Sequence, residues 1–460
     1  MSDVYIIYAR ENRETAQKVY DLLARRWKVW WDDHIVGDYN RAIKINLAKT
    51  KCIVALYSVY ADKPAVTEEL RLGEKYNKII IPLELDDSDA PYPYGHYSSI
   101  DFRQWNGEAE HPGMKLLHTK IGTVVEGREQ ERIQVLAGGK LPIPNIFMSV
   151  SSHETQFDPV DALKVLKAHS TSSILVSAYD LVNSANRVQM ISHIKSYRDN
   201  GGLVLIDSGN YEAQRLEDEQ WKPKDFHKAL KDTPHDWAFS FDEMNPSSDP
   251  REAIEQIISA VKRDSKLTTS PVFPIIHVDQ GEEGLARLPE IVREVSKQLR
   301  PLVIALPERE LGAGLAMRAK TMKMLRKELD CLPYYQPIHL LGTGNPWSIA
   351  VLVAAGADTF DGLEWCRFAV DPVQGRLHHF QHFDFFQGKA TRTQFLDLVD
   401  ATPEIEYAGR VALYNLEYYK EFGRDMRDFI STNDARLFAL GVMNAFTSED
   451  LKKLFPEIFT

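Results

Sequence analysis

Cysteine is scarce in this chain: Cys52, Cys331 and Cys366 are the only three in 460 residues, and they are far apart. No Cys-x-x-Cys pair exists, which excludes a disulfide framework and a cysteine-rich zinc site. No apolar run approaches the roughly 18–20 residues of a membrane span. The N-terminus also lacks a basic segment followed by an apolar one. A cytoplasmic chain with no membrane partner is therefore expected. An excess of positive charge is missing too. The formal net charge of -11 argues against a protein coated in nucleic acid, although a local basic groove is compatible with it. What is present is ordinary for globular proteins: 44% hydrophobic and 10% aromatic residues, enough for large cores. At this length, two or three domains are expected.

Local punctuation divides the chain. After Gly122 comes a mixed charged run, Glu126–Arg132, then Gly138-Gly139 and the proline-spaced Leu141-Pro142-Ile143-Pro144. Stretches of this composition are where domain boundaries fall. The expected layout is an N-terminal domain over 1–125, a linker over 126–144, a second domain over 145–388 and a helical extension over 389–460.

The first segment opens with an apolar strand, Val4–Tyr8, a polar turn from Ala9 to Asn12, and a helical face of Ala16, Val19, Leu22 and Leu23. A second strand, Val29-Trp30-Trp31, runs into Asp32-Asp33 and a loop with Gly37. A third, Cys52–Tyr57, is followed by Ser58 and, about a dozen residues later, by Glu69-Leu70. This order resembles a TIR domain, which implies a flavodoxin-like α/β fold with a parallel sheet. Some members of that family cleave the nicotinamide–ribose bond of NAD+. The resemblance makes Glu69 the catalytic carboxylate, steadying an oxocarbenium-like centre. Glu68 is adjacent, but on a helix the two point about 100° apart, so only one faces a cleft. Arg10, Trp31, Asp33 and Ser58 stand at or near strand ends, where an open parallel sheet binds its ligand, and they are the candidates for holding NAD+. Either tryptophan, taken alone, is equally readable as a core or rim aromatic.

Beyond 145, short apolar strands alternate with amphipathic helices: Ile174–Ala178, Leu203–Ile206, Trp237–Phe241, Val272–His277, Leu302–Leu306, Ile338–Leu341 and Thr359–Phe360. This alternation predicts a (β/α)8 barrel, a TIM-barrel-like domain. Several strands end in polar residues: Asp207-Ser208-Gly209, Asp242-Glu243, Asp279-Gln280-Gly281, Glu308 and Asp361. One such acid reads as a helix N-cap. A succession of them at the ends that carry chemistry in barrels predicts a shared pocket.

These strand ends resemble the queuine/archaeosine tRNA-guanine transglycosylase family. The matching pieces, in order, are Asp207-Ser208-Gly209-Asn210-Tyr211, Phe241-Asp242-Glu243, Gln280-Gly281, Leu340-Leu341-Gly342-Thr343-Gly344-Asn345-Pro346 and Gly356-Ala357-Asp358-Thr359-Phe360-Asp361. The resemblance implies that Asp361 attacks the ribose anomeric carbon and that Asp207 is its acid/base neighbour. It also implies that Asp242, Gln280 and Gly344 bind a purine-like base. Two family features are replaced. The cysteine-and-histidine metal cluster is missing, with His378, His379 and His382 left in its place, so zinc is not expected. Leu363-Glu364-Trp365-Cys366-Arg367 stands where the family has Pro-Thr-Arg.

The tail carries helical patterns with Tyr414, Tyr418, Tyr419 and Arg424, readable as a stacking surface and more simply as core. Together these features predict a NAD+ nucleosidase, or a cyclase acting on the same bond, that needs no cofactor beyond its substrate. A transglycosylase-like sensor barrel would control it, and it would self-associate through TIR domains and tail in bacterial anti-phage defence. The competing prediction is a nucleic-acid base-exchange enzyme whose TIR domain is an adaptor.

Overall fold

The computed structural model describes residues 2–31, 39–76, 78–126, 132–136, 139–153, 155–279, 281–431 and 435–459. Two compact units emerge, Met1–Arg132 with Lys327–Tyr335, and Ile133–Arg326 with Gln336–Thr460.

In the first unit, five strands form one sheet: β1 Val4–Ile7, β2 Val29–Trp30, β3 Cys52–Tyr57, β4 Ile79–Glu84 and β5 Ile100–Asp101. Their order is β2-β1-β3-β4-β5, and every pair is parallel. This is the flavodoxin-like order expected from the sequence. The run Cys-Ile-Val-Ala-Leu-Tyr of β3 is buried throughout, as a central parallel strand covered on both faces must be. Alternation along β1 separates two cores. Val4 and Ile6 pack with Trp27, Trp31 and Val54, whereas Tyr5 and Ile7 pack with Ile43, Ile53, Val66 and Leu70. The helix Pro64–Lys75, with proline in its first turn, supplies Val66 and Leu70 to the second core.

The second unit contains eight parallel strands: β8 Asn145–Val150, β9 Ser173–Ser177, β10 Leu203–Asp207, β11 Trp237–Phe239, β12 Val272–Phe273, β13 Ile304–Pro307, β14 Ile338–Leu341 and β15 Thr359–Gly362. The sheet runs β12-β11-β10-β9-β8-β15-β14-β13. Its two edges meet where Ile275 bridges Ala305 and the Ile276 N–H donates to the Ala305 carbonyl at 2.9 Å. The result is the expected barrel, with β8 as a strand additional to those read from the sequence. A short antiparallel hairpin, β6 Val135–Leu136 with β7 Leu141–Pro142, precedes it. This hairpin lies within 126–144, and its Leu136 and Leu141, with Ile143, join the barrel core of Phe147, Leu205, Trp237, Phe239 and Ile275.

C-terminal helices complete the unit, the longest being Tyr407–Ser431. Asn415 ties this helix down by donating to the carbonyls of Trp365 (2.9 Å) and Phe368 (2.7 Å) and accepting from the Val370 N–H. Tyr414 and Tyr419 are buried, so they serve as core. No described helix is long and apolar enough to cross a membrane.

Candidate functional sites

In the first unit, helix phase separates the two neighbouring glutamates. Glu68 is exposed and paired to Arg71 through two 2.7 Å hydrogen bonds. Glu69 is half-buried on the inward side and accepts a hydrogen bond from the Tyr5 hydroxyl at 3.1 Å. Tyr5 stacks on Trp30 with centroids 4.6 Å apart and planes at 24°. The carboxylate, the phenol and the indole therefore share one side of the sheet. Ser58 is buried at the end of β3, where its hydroxyl donates to Asn12 Oδ1 at 2.8 Å and accepts from the Tyr60 N–H. This pins the turn Arg10–Asn12, from which Arg10 extends into solvent.

Trp31 corrects the sequence expectation. It is 6% exposed, stacked on Tyr20 at 5.4 Å and tilted against Tyr8 at 5.6 Å, in the core on the opposite face from Tyr5. Its ring has no open face for a ligand, and the aromatic on the Glu69 side is Trp30. Asp33 lies outside the described residues.

In the second unit, the strand ends converge on a cavity of about 380 Å³ lined by Asp207, Asp242, Asp361, Glu212, Glu308 and Glu364, with His277, Arg309, Arg318 and Arg367 among them. A barrel places every strand's C-terminal end on one face, so acids separated by up to a third of the chain meet there. Two glycines make the turns possible. Gly209 has φ +76°, and a Cβ there would come within 2.5 Å of the Tyr179 nitrogen. Gly344 leaves room for Glu364, whose Oε2 would lie 1.8 Å from a Cβ at that position. Gln280 lies outside the described residues.

Each carboxyl has a different electrostatic setting. Asp361 accepts from the Ser149 hydroxyl at 2.8 Å and the Gly342 N–H at 3.0 Å, and His339 Nε2 lies 3.1 Å from it. The Thr359 hydroxyl, 2.9 Å from His339 Nδ1, can donate to that nitrogen and leave Nε2–H to face Asp361. Three donors hold this carboxyl group in one orientation. Asp242 sits 2.7 Å from His277 Nε2, and Glu310 is 2.8 Å from His277 Nδ1. Burial alone would lower the imidazole, but these two acids outweigh it and push His277 up to about 10. In return His277 overcomes the burial that would raise Asp242 and holds it below the usual carboxylate range. Asp207 has no such cation. Burial, reinforced by the charges of Glu212, Asp242 and Asp361, raises it well above its ordinary value. Burial likewise pushes Glu212 up to about 7, with Asp180 adding to the effect.

A carboxylate oriented by three donors and a second carboxyl raised well above its ordinary value, in one enclosed space, are the kind of pair that glycosidic chemistry uses. At the mouth, Tyr211 is 37% exposed, with the Arg309 guanidinium 4.7 Å from its ring centroid. His277, Glu310, His339, Glu212 and Glu364 were not singled out from the sequence. His277 and Glu310 lie within or just after strand segments that were read correctly, and their pairing depends on barrel register.

The zinc that the transglycosylase resemblance implies has no fitting ligand set. Among the described residues no group of three His, Cys, Asp or Glu side chains is arranged to hold a metal. His378 is stacked on Phe386 at 4.4 Å, and the Cys366 thiol donates to the Leu363 carbonyl at 3.3 Å.

The two units thus define a TIR-like α/β domain and a transglycosylase-like barrel. Comparison with known proteins agrees: residues 4–117 match the sequence model of the TIR domain. Similarity to the tRNA-guanine(15) transglycosylase of Sulfolobus acidocaldarius extends over 337 residues at 23% identity, covering 70% of this chain and 65% of that protein. The proteins of that name from Pyrococcus furiosus and Methanopyrus kandleri are each 22% identical, covering 62% and 50% of this chain. The chain spans 49% and 50% of their respective lengths. The chain joins a TIR domain to a transglycosylase-like barrel.

Proposed function

We propose that the TIR domain cleaves the nicotinamide–ribose bond of NAD+, with Glu69 as the stabilising carboxylate, and that the barrel binds a purine-like base and controls this activity. The observation that carries the first part is the Tyr5–Glu69 hydrogen bond, which holds one carboxylate beside the stacked Tyr5–Trp30 pair. The leaving nicotinamide is already cationic in NAD+. One negative group beside the anomeric carbon is then enough to stabilise charge developing on the ribose, and water completes the cleavage. The barrel's part rests on Asp242 and Asp361, both oriented by hydrogen bonds, in a cavity wide enough for a purine. Zinc is not required in this account. Self-association through TIR domains and tail, and a role in anti-phage defence, extend it by analogy with TIR effectors.

A second reading is favoured by one observation. Three donors orient Asp361 in the same cavity as Asp207, whose carboxyl is raised by burial and neighbouring acids, a nucleophile-and-acid pair such as a base-exchange enzyme would need. By analogy with the tRNA-guanine transglycosylases this chain is similar to, guanine in tRNA is a candidate ligand in this reading.

The test is to incubate the full-length protein with NAD+, alone and with guanine, tRNA or phage DNA, and to identify the products. Nicotinamide with ADP-ribose or its cyclic form supports the proposal. Base exchange into nucleic acid without any NAD+ loss supports the second reading instead.

A further inference from the structure

Glu364 is a cavity carboxyl that neither of the proposed chemistries uses. It opens the short helix Glu364–Arg367, three residues beyond Asp361, and its carboxyl lies over glycine backbone. A Cβ at Gly344 would stand 1.8 Å from Glu364 Oε2, and one at Gly362 would stand 2.2 Å from it. Neither glycine has a positive φ; Gly344 leaves space for this carboxyl, and Gly362 leaves space both for it and for the backbone of Gly344, 2.7 Å from where a Cβ would stand. Gly344 is held from behind by the buried Tyr419, whose hydroxyl donates to the Gly344 carbonyl at 2.7 Å. The wall that receives Glu364 is therefore built by two distant segments of the chain and closed by the C-terminal helix.

The charged groups around it are Asp361 and Glu308, which disfavour its anion, and Arg367, which favours it; Tyr419 and Cys366 are the other titratable neighbours. Burial is the largest influence, and the balance pushes the Glu364 carboxyl up to about 7. A protonated carboxyl offers one O–H donor and one carbonyl acceptor.

We propose that Glu364 is a ligand-contacting and specificity-determining residue of the barrel cavity, donating a hydrogen bond to an acceptor atom of a base or sugar bound beside Asp361. The proposal rests on the reading that this cavity takes a purine-like base. Asp242, ionised against His277, selects hydrogen-bond donors, and Glu364 selects an acceptor. A ligand presenting both is an oxopurine such as guanine, in which ring and exocyclic N–H groups accompany a carbonyl oxygen and unprotonated ring nitrogens.

The experiment is equilibrium dialysis of the full-length protein with radiolabelled guanine at pH 6 and pH 8.5. Wild-type affinity is expected to fall about tenfold between the two, the cost of one hydrogen bond as Glu364 ionises. Glu364→Gln keeps a neutral donor, so it should retain the pH 6 affinity and flatten the fall, whatever Glu212 contributes by titrating nearby. Glu364→Leu should bind about tenfold more weakly than wild type at pH 6. If the Leu variant binds like wild type, or the Gln variant keeps the full pH dependence, the assignment of Glu364 is overturned while base binding stands. If wild type binds no guanine at either pH, the base-binding reading fails and takes this proposal with it.

Discussion

In the TIR domain the half-buried carboxylate of Glu69 accepts from the Tyr5 hydroxyl, while Arg10 and Glu68 face solvent. In the barrel, Asp361 takes three hydrogen bonds, Asp242 shares an imidazolium with Glu310, and burial with the surrounding acids raises Asp207 well above its ordinary value. Much of the barrel's electrostatic work is therefore complete before a ligand arrives, as a preorganised site requires. Glu69, by contrast, is half-buried beside a stacked tyrosine–tryptophan pair. The two regions differ in burial: one candidate carboxylate on a half-buried helix face, several enclosed at the strand ends of a barrel.

The comparison breaks most visibly at His277. Replacing it by leucine leaves Asp242 and Glu310 buried without their shared cation, and should destabilise the barrel unit by about 3–5 kcal/mol in urea unfolding. A matching pH dependence follows. The His277 imidazole stands at about 10 in the fold against an ordinary 6.5, so its stabilisation is fully present below pH 6.5 and is lost as pH rises through about 10. Glu212, at about 7 against 4.5, acts in the same direction and withdraws stability as pH rises from 4.5 through 7. Unfolding midpoints measured from pH 5 to 10 should decline, with the highest-pH part of the decline absent in the leucine variant.

Glu69→Gln is next in size. It preserves shape and removes the charge, so nicotinamide release should fall about 10²–10³-fold with an unchanged circular dichroism spectrum. Glu68→Gln, which only releases Arg71 at the surface, should leave the rate unaltered. Tyr5→Phe sharpens the contrast further. Loss of one hydrogen bond to Glu69 should reduce kcat about tenfold with little change in KM. The smallest effect concerns assembly: specific NAD+-cleaving activity should rise with protein concentration, whereas guanine binding per barrel should stay constant. Parallel titrations of both activities against enzyme concentration check this.

The acids that meet in the barrel could be read from the sequence because Asp207, Asp242 and Asp361 each close a strand, and parallel closure brings all such ends to one face. Their partners could not. His277 reaches Asp242 and Glu310 across strand register, and His339 reaches Asp361 from the adjacent strand. Strand β8 was obscured by prolines on its N-terminal side and by the polar Asn145 and Ser149, which face other buried groups rather than water. Trp31 shows the limit of a period of two: a shift by one residue exchanges the faces, and Trp30 and Trp31 are chemically identical. Tyr419 was placed in the core by its periodic pattern, but its bond to Gly344 depends on how the last helix packs.

The most direct test of the account is nicotinamide release from NAD+ by the full-length protein, measured with and without guanine or nucleic acid and compared with Glu69→Gln. The account predicts release by the wild type that increases when a barrel ligand is added and nearly disappears in the Gln variant. Equal release by both proteins, or none from the wild type under any of these conditions, would contradict it.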